Sequence, residues 1–130
     1  MTQRTTMLGA IALTIAACAT AADTDRASKD LEKALAGRTA GQPTDCISTM
    51  SADGPRIVDD RTLLYGSGRT IWRTTIEACP SLRPGDILIV EMHGSQLCRN
   101  DLFRTTEPGA VIPGPYCRMG HFVPYTRPTR

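Results

Sequence analysis

Aromatic residues make up only 5% of this 130-residue chain, with a single tryptophan. Stacking platforms for single-stranded nucleic acid are therefore scarce. A surplus of one charge is also lacking: fifteen Lys and Arg against thirteen Asp and Glu leave a formal +2. Arg99, Arg104, Arg118 and Arg127 are scattered among acids and form no basic stripe. Both observations exclude a nucleic-acid partner. No apolar run approaches the roughly 20 residues of a membrane-spanning helix. There is no C-x-x-C and no C-x-x-C-H, which removes thioredoxin-like redox work and covalent haem attachment. "GSG" is too short to cradle a phosphate, and no helix follows it. "YGSGR" lacks the G-x-S-x-G elbow, and Ser67 falls in a hairpin turn with no evident base. Asp59 and Asp60 are neighbours whose side chains point to opposite faces of an extended chain, so they make no acid and base pair. Asp101, three residues after Cys98, suits a turn cap. No enzyme is expected. A hydrolase would require Asp101, His93 or His121 to meet in a pocket assembled by the fold.

What is present begins with an address. One positive side chain, Arg4, precedes an apolar run from Met7 to Ala17, eleven residues broken only by Gly9 and Thr14. These are the proportions of a signal peptide. Ile15, Ala16, Ala17 and Cys18 resemble the lipobox of bacterial lipoproteins, an aliphatic residue and two small ones before an acylated cysteine. Small residues fit a narrow protease cleft, and the thiol is the one nucleophile able to accept the lipid. The resemblance implies cleavage before Cys18 and acyl chains on that residue. Ala19 follows, where inner-membrane retention would need Asp, so the implied place is the periplasmic face of the outer membrane of a Gram-negative bacterium. Two or three acyl chains suffice for stable anchoring, at about 0.8 kcal/mol per buried methylene. The alternative is an ordinary signal peptide cut at "ATA", with Cys18 discarded.

Four segments are expected: a signal peptide over 1–17, a lipidated Cys18 with its tether over 18–44, a folded domain over 45–126 and a tail over 127–130. In the tether, Ala27, Leu31, Ala34 and Leu35 fall on one helical stripe, with Asp25 to start a short helix and Gly37 to end it. The stripe is thin, so either docking or a tether that is helical part of the time fits. As a flexible chain, Ala19 to Thr44 would span roughly 28 Å.

Past Cys46 the helical period disappears, and short runs rich in Ile, Val, Leu, Thr and Tyr alternate with turn residues. "RIVDD" and "RTLLY" flank a turn at Asp59-Asp60; "RTLLY" and "RTIWRTTI" flank "GSG", a hairpin signal. "DILIVEM" and "QLCRND" are predicted to pair across "HGS", and "DLFRTT", "YCRMG" and "HFVPY" supply further strands. "ILIV" reads as a central strand buried on both sides. "EPGAVIPGPY" is a loop, since its three prolines cannot donate to a ladder. The expected fold is mainly β, a small antiparallel meander curled into a barrel or sandwich.

With Cys18 assigned to lipid, Cys46, Cys79, Cys98 and Cys117 remain, an even number for an oxidising compartment. Two disulfides are expected, and the presumed meander favours Cys79 to Cys98 and Cys46 to Cys117. The sharper alternative is a metal: His93, Cys98, Cys117 and His121 form H-x4-C and C-x3-H pairs suited to tetrahedral zinc. Met92 and Met119 beside these histidines would suit copper. No cofactor is needed under the disulfide reading.

Cys46-Ile47, "VDDRTLLY", Trp72, Cys79-Pro80-x-Leu82, "LC" followed by Asp101, and Cys117 followed by Phe122 and Pro124 are together similar to an uncharacterised family of small exported proteobacterial proteins, a domain of unknown function. The resemblance covers Cys46 to Tyr125, implies an exported or lipid-anchored location, and assigns no activity or site. Lipid-anchored lysozyme inhibitors, also small disulfide-stapled barrels, present a Ser-Gly-x-x-Tyr loop. Here Ser67-Gly68-Arg69-Thr70 is followed by Ile71, so the tyrosine is missing, although Arg69 and Arg73 would suit an acidic cleft. The expectation is a non-catalytic binding or structural module, held to the membrane by its lipid, with another envelope protein as partner.

Overall fold

The computed structural model describes residues 16–50 and 54–129, with residues 16–20 given by their backbone alone. The signal peptide expected over 1–17 therefore lies outside the described residues up to position 15. The Cys18 side chain, expected to carry lipid, lies outside them too.

Chain order gives one helix, α1 (Ala16–Leu35), then β1 (Thr39–Ala40), β2 (Cys46–Ser48), β3 (Arg56–Ile57), β4 (Thr62–Tyr65), β5 (Thr70–Thr75), β6 (Ile87–Val90), β7 (Gln96–Cys98), β8 (Leu102–Thr106), β9 (Cys117–Arg118) and β10 (Phe122–Thr126). The fold is mainly β, as expected, and every pairing is antiparallel. Five strands form one sheet in the order β1-β10-β5-β4-β3; β2 pairs with β7, and β6-β8-β9 make a third sheet. No barrel closes. The arrangement is sandwich-like, with the smaller sheets supplying residues to a core shared with the five-stranded one.

That core joins Leu63 and Tyr65 of β4 and Phe122 of β10 to Ile47, Leu97, Phe103 and Cys117 of the smaller sheets, and to Met119 between β9 and β10. Because neighbouring side chains of a strand face opposite ways, Leu64 points to the other side. There it joins Val58 and Ile71 in a second cluster, covered by Ala27, Leu31, Ala34 and Leu35. These four are the stripe seen in the sequence, and its docking decides between the two readings of the tether. β4 is buried at all four positions. It is closed on both faces, the position expected for "ILIV".

The helix is longer than predicted, twenty residues instead of the stretch from Asp25 to Gly37. Its alanine-rich amino-terminal half is a good helix former. Gly37, at φ 68°, ends it as expected, a conformation open to a residue without Cβ. Arg38 then fastens the helix end to the β4–β5 turn: its Nε donates to the carbonyl of Ala34 and its guanidinium nitrogens to those of Gly68 and Arg69.

The hairpins β3–β4 and β4–β5 form as predicted, and 107–116 is a loop. "DILIVEM" and "QLCRND" do not pair with each other. Residues 87–90 pair with β8, and residues 96–98 pair with β2. The expected disulfide connectivity fails for the same reason. Cys46 and Cys98 lie opposite each other in the β2–β7 ladder, with Cα atoms 4.0 Å apart, and are bonded together. Thr49 donates to the carbonyl of Ser95 and Arg99 to that of Asp45, so the cysteine pair between them is a non-hydrogen-bonded one, where side chains approach most closely. Cys79 bonds Cys117 and ties the loop after β5 to β9. Their sequence separations of 52 and 38 correspond to about 4 kcal/mol each in the chain-entropy model. The two loops interlock, so the values do not simply add.

Candidate functional site: an apolar face on the three-stranded sheet

Arg83-Pro84-Gly85-Asp86 delivers the chain to β6. Asp86 donates its N–H to the carbonyl of Arg83, and Gly85 has a φ of 94°. Proline second and a positive-φ glycine third are the requirements of a type II turn. β6 then runs beside β8 with Ile87 opposite Thr106, Leu88 opposite Thr105, Ile89 opposite Arg104 and Val90 opposite Phe103. Leu88 and Val90 pack on the core. Ile87 and Ile89 face outward, 52% and 40% exposed. "ILIV" is thus an edge strand of its sheet, open on one face, and the expectation of a strand buried on both sides is corrected.

This outer face is organised by Arg104. Its guanidinium sits under the Tyr116 ring, 4.8 Å from the centroid. Nε donates to the Gly114 carbonyl at 2.8 Å and Nη2 to that of Pro113 at 3.0 Å. The Tyr116 hydroxyl donates to Glu91 Oε1 at 2.8 Å. One arginine therefore fastens the loop 107–116 beside β6, and the loop carries Val111 and Ile112, 93% and 83% exposed. The loop is held at its base, where Gly114 also donates to the Thr105 carbonyl. Its apolar crest stands in water. An aliphatic edge strand next to a fixed aromatic ring is a surface that excludes water well on contact, and exposed apolar groups concentrated in this way mark interaction sites.

The residues proposed for other chemistry do not converge. Cys98 and Cys117 are bonded to Cys46 and Cys79. The alternative metal set of His93, Cys98, Cys117 and His121 therefore lacks free thiolates. His93 is exposed beyond β6, and His121 Nδ1 lies 2.9 Å from Asp45 Oδ1. Among the described residues no group of three or more His, Cys, Asp or Glu is placed to hold a metal ion. Asp101 is the turn cap suggested by its position, its Oδ2 accepting from the Cys98 N–H at 2.7 Å. Asp59 likewise accepts from the Arg61 N–H at 2.8 Å. His121 lines a cleft of about 580 Å³ that includes neither Asp101 nor His93. Arg69 donates to the Arg127 carbonyl. Arg73 points elsewhere, into a cleft of about 840 Å³ beside α1 that Arg26, Asp59 and Arg61 also line.

Sequence reasoning missed the outer face altogether. The run itself carries no signal that one side stays open, but Asp86 and Glu91 at its two ends are what a solvent-facing edge commonly shows. No family model, no curated protein and no solved structure matches the chain.

Proposed function

We propose that this is a lipid-anchored protein of the Gram-negative cell envelope, held to the periplasmic face of the outer membrane through Cys18, and that its folded domain is a non-catalytic binding module for another envelope protein. The observation that carries the binding role is the outward-facing pair Ile87 and Ile89 on β6, beside Tyr116 fixed on Arg104. The anchor rests on the lipobox-like Ile15, Ala16, Ala17 and Cys18. Two disulfides are in keeping with an oxidising compartment. The resemblance to an uncharacterised exported family points to the same location.

Intact mass of the protein extracted from native membranes, with and without reduction before thiol alkylation, tests the anchor. The expected species starts at Cys18, is heavier by its acyl groups and takes up alkyl groups at four cysteines only after reduction. An unacylated species would sink the anchoring. The binding role is tested by crosslinking in intact cells with a photoreactive residue at Ile87 or Val111. One discrete crosslinked protein is expected from these positions and none from Glu32 on the exposed side of α1. Equal labelling at all three would remove the role.

A further inference from the structure

The edge of β6 offers more than an apolar surface. Glu91 donates its N–H to the Leu102 carbonyl at 3.0 Å, which continues the β6–β8 register by one pair. In an antiparallel ladder, residues whose backbone groups are bonded to the partner strand alternate with residues whose groups point away from it. Ile87, Ile89 and Glu91 therefore bond to β8, and the N–H and C=O of Leu88 and Val90 point to the open side. Among the described residues no strand pairs with that side, and no hydrogen bond reaches those four groups. Between Ile87 and Val90 the strand has neither the proline nor the charge that commonly blunts an edge.

Its charges lie at the ends. Asp86 precedes Ile87 and Glu91 follows Val90, and Glu91 is fixed by the Tyr116 hydroxyl. A second copy of this strand, added antiparallel, would set Asp86 of one chain near Glu91 of the other at both ends, a like-charge arrangement that is disfavoured. A segment with basic ends meets an acid at each end in either direction.

We propose, building on the binding role above, that the free edge of β6 accepts an extended segment of a partner protein as an added strand. This segment has apolar side chains at alternate positions, to cover Ile87 and Ile89, and a basic residue at each end. Backbone hydrogen bonds to Leu88 and Val90 supply attachment, the two isoleucines and Tyr116 supply the apolar contact, and Asp86 and Glu91 select the ends. This is strand addition as used elsewhere for peptide capture.

The probe is an end-capped peptide, Lys-Thr-Val-Thr-Val-Lys, which antiparallel to β6 sets its valines opposite Ile89 and Ile87 and its lysines opposite Glu91 and Asp86. It is added to the full-length protein, with amide hydrogen exchange read residue by residue. The expected result is exchange at Leu88 and Val90 slowed at least tenfold, with little change at Ile87 and Ile89, whose amides already bond to β8. The same peptide with Glu at both ends should bind at least threefold more weakly. Replacing both acids, Asp86→Lys with Glu91→Lys, should invert that preference. Ile89→Lys should abolish the protection while leaving the thermal midpoint in place. Absence of protection at Leu88 and Val90 with every peptide would overturn the proposal. Protection that grows with protein concentration alone would overturn it in favour of a second copy. Binding that perturbs Ile87 and Ile89 without protecting the edge amides would overturn strand addition and leave the binding role standing.

Discussion

Two strands of this protein, β4 and β6, carry aliphatic runs that look alike on paper, Thr-Leu-Leu-Tyr and Ile-Leu-Ile-Val. The first is enclosed by a core on one side and a helix on the other. The second is covered on its inner face alone and keeps an open edge. What separates them is what the rest of the chain brings to the second face: α1 lays Leu31 and Leu35 over β4, and nothing among the described residues does the same for β6. Local hydrophobicity says how much apolar surface a strand has. It does not say how much the fold covers, and the uncovered remainder is where we propose that a partner binds.

The contrast can be broken most severely at Leu63, whose side chain is fully buried. Leu63→Ala should cost about 3 kcal/mol from lost contact and the cavity left behind, read as a fall in the denaturation midpoint with reducing agent excluded. Next comes the helix-facing side. Leu64→Ala should cost about 2 kcal/mol. In a double-mutant cycle with Leu31→Ala, the pair should cost less than the sum by about 1 kcal/mol, since each mutation removes the other's partner. Additivity would mean that α1 does not cover β4 in solution.

Tyr65 sharpens the comparison through pH. Burial pushes its hydroxyl well above the usual phenol range, and the O–H has the sulfur of Met119 as its partner at 3.8 Å. In the unfolded chain the group ionises near about pH 10. Its contribution is thus fully present below that pH and is lost as pH rises through it toward the folded-state value. Between about pH 10 and about pH 11 this amounts to about 1 kcal/mol. Tyr65→Phe should flatten that part of the stability profile relative to the parent. The smallest effect is expected on β6: Ile87→Thr and Ile89→Thr should each shift stability by less than about 0.5 kcal/mol, while lowering partner capture. A large loss of stability there would mean that the outer face is covered after all.

Much of this architecture is legible in the residues. Turn residues place β3–β4 and β4–β5 correctly because those connections are short and local, and the helical stripe names the four side chains that dock. The pairing of β2 with β7, however, joins segments 52 residues apart at their cysteines, and no local signal announces it. The disulfide connectivity depends on that pairing, so the mistaken β6–β7 hairpin carried the mistaken bonds with it. The metal reading failed on the same fact, because spacing along the chain placed His93 near Cys98 while the ladder placed Cys46 nearer still. The outer face of β6 was illegible for a different reason: its openness is a property of what is missing over it.

The helical form of the segment that follows Cys18 has a geometric consequence for a protein anchored there as proposed. Ala27, the first of the four side chains packed on the second cluster, lies nine positions after Cys18, and at 1.5 Å per residue the helix between them forms a stalk of about 14 Å. A flexible leash lets a domain tumble through a hemisphere. A helical stalk packed on the sheet shortens that reach, so the folded domain stays close to the bilayer. A partner held at the same membrane surface meets it by planar diffusion at high effective concentration, and one reaching down from farther away meets it seldom.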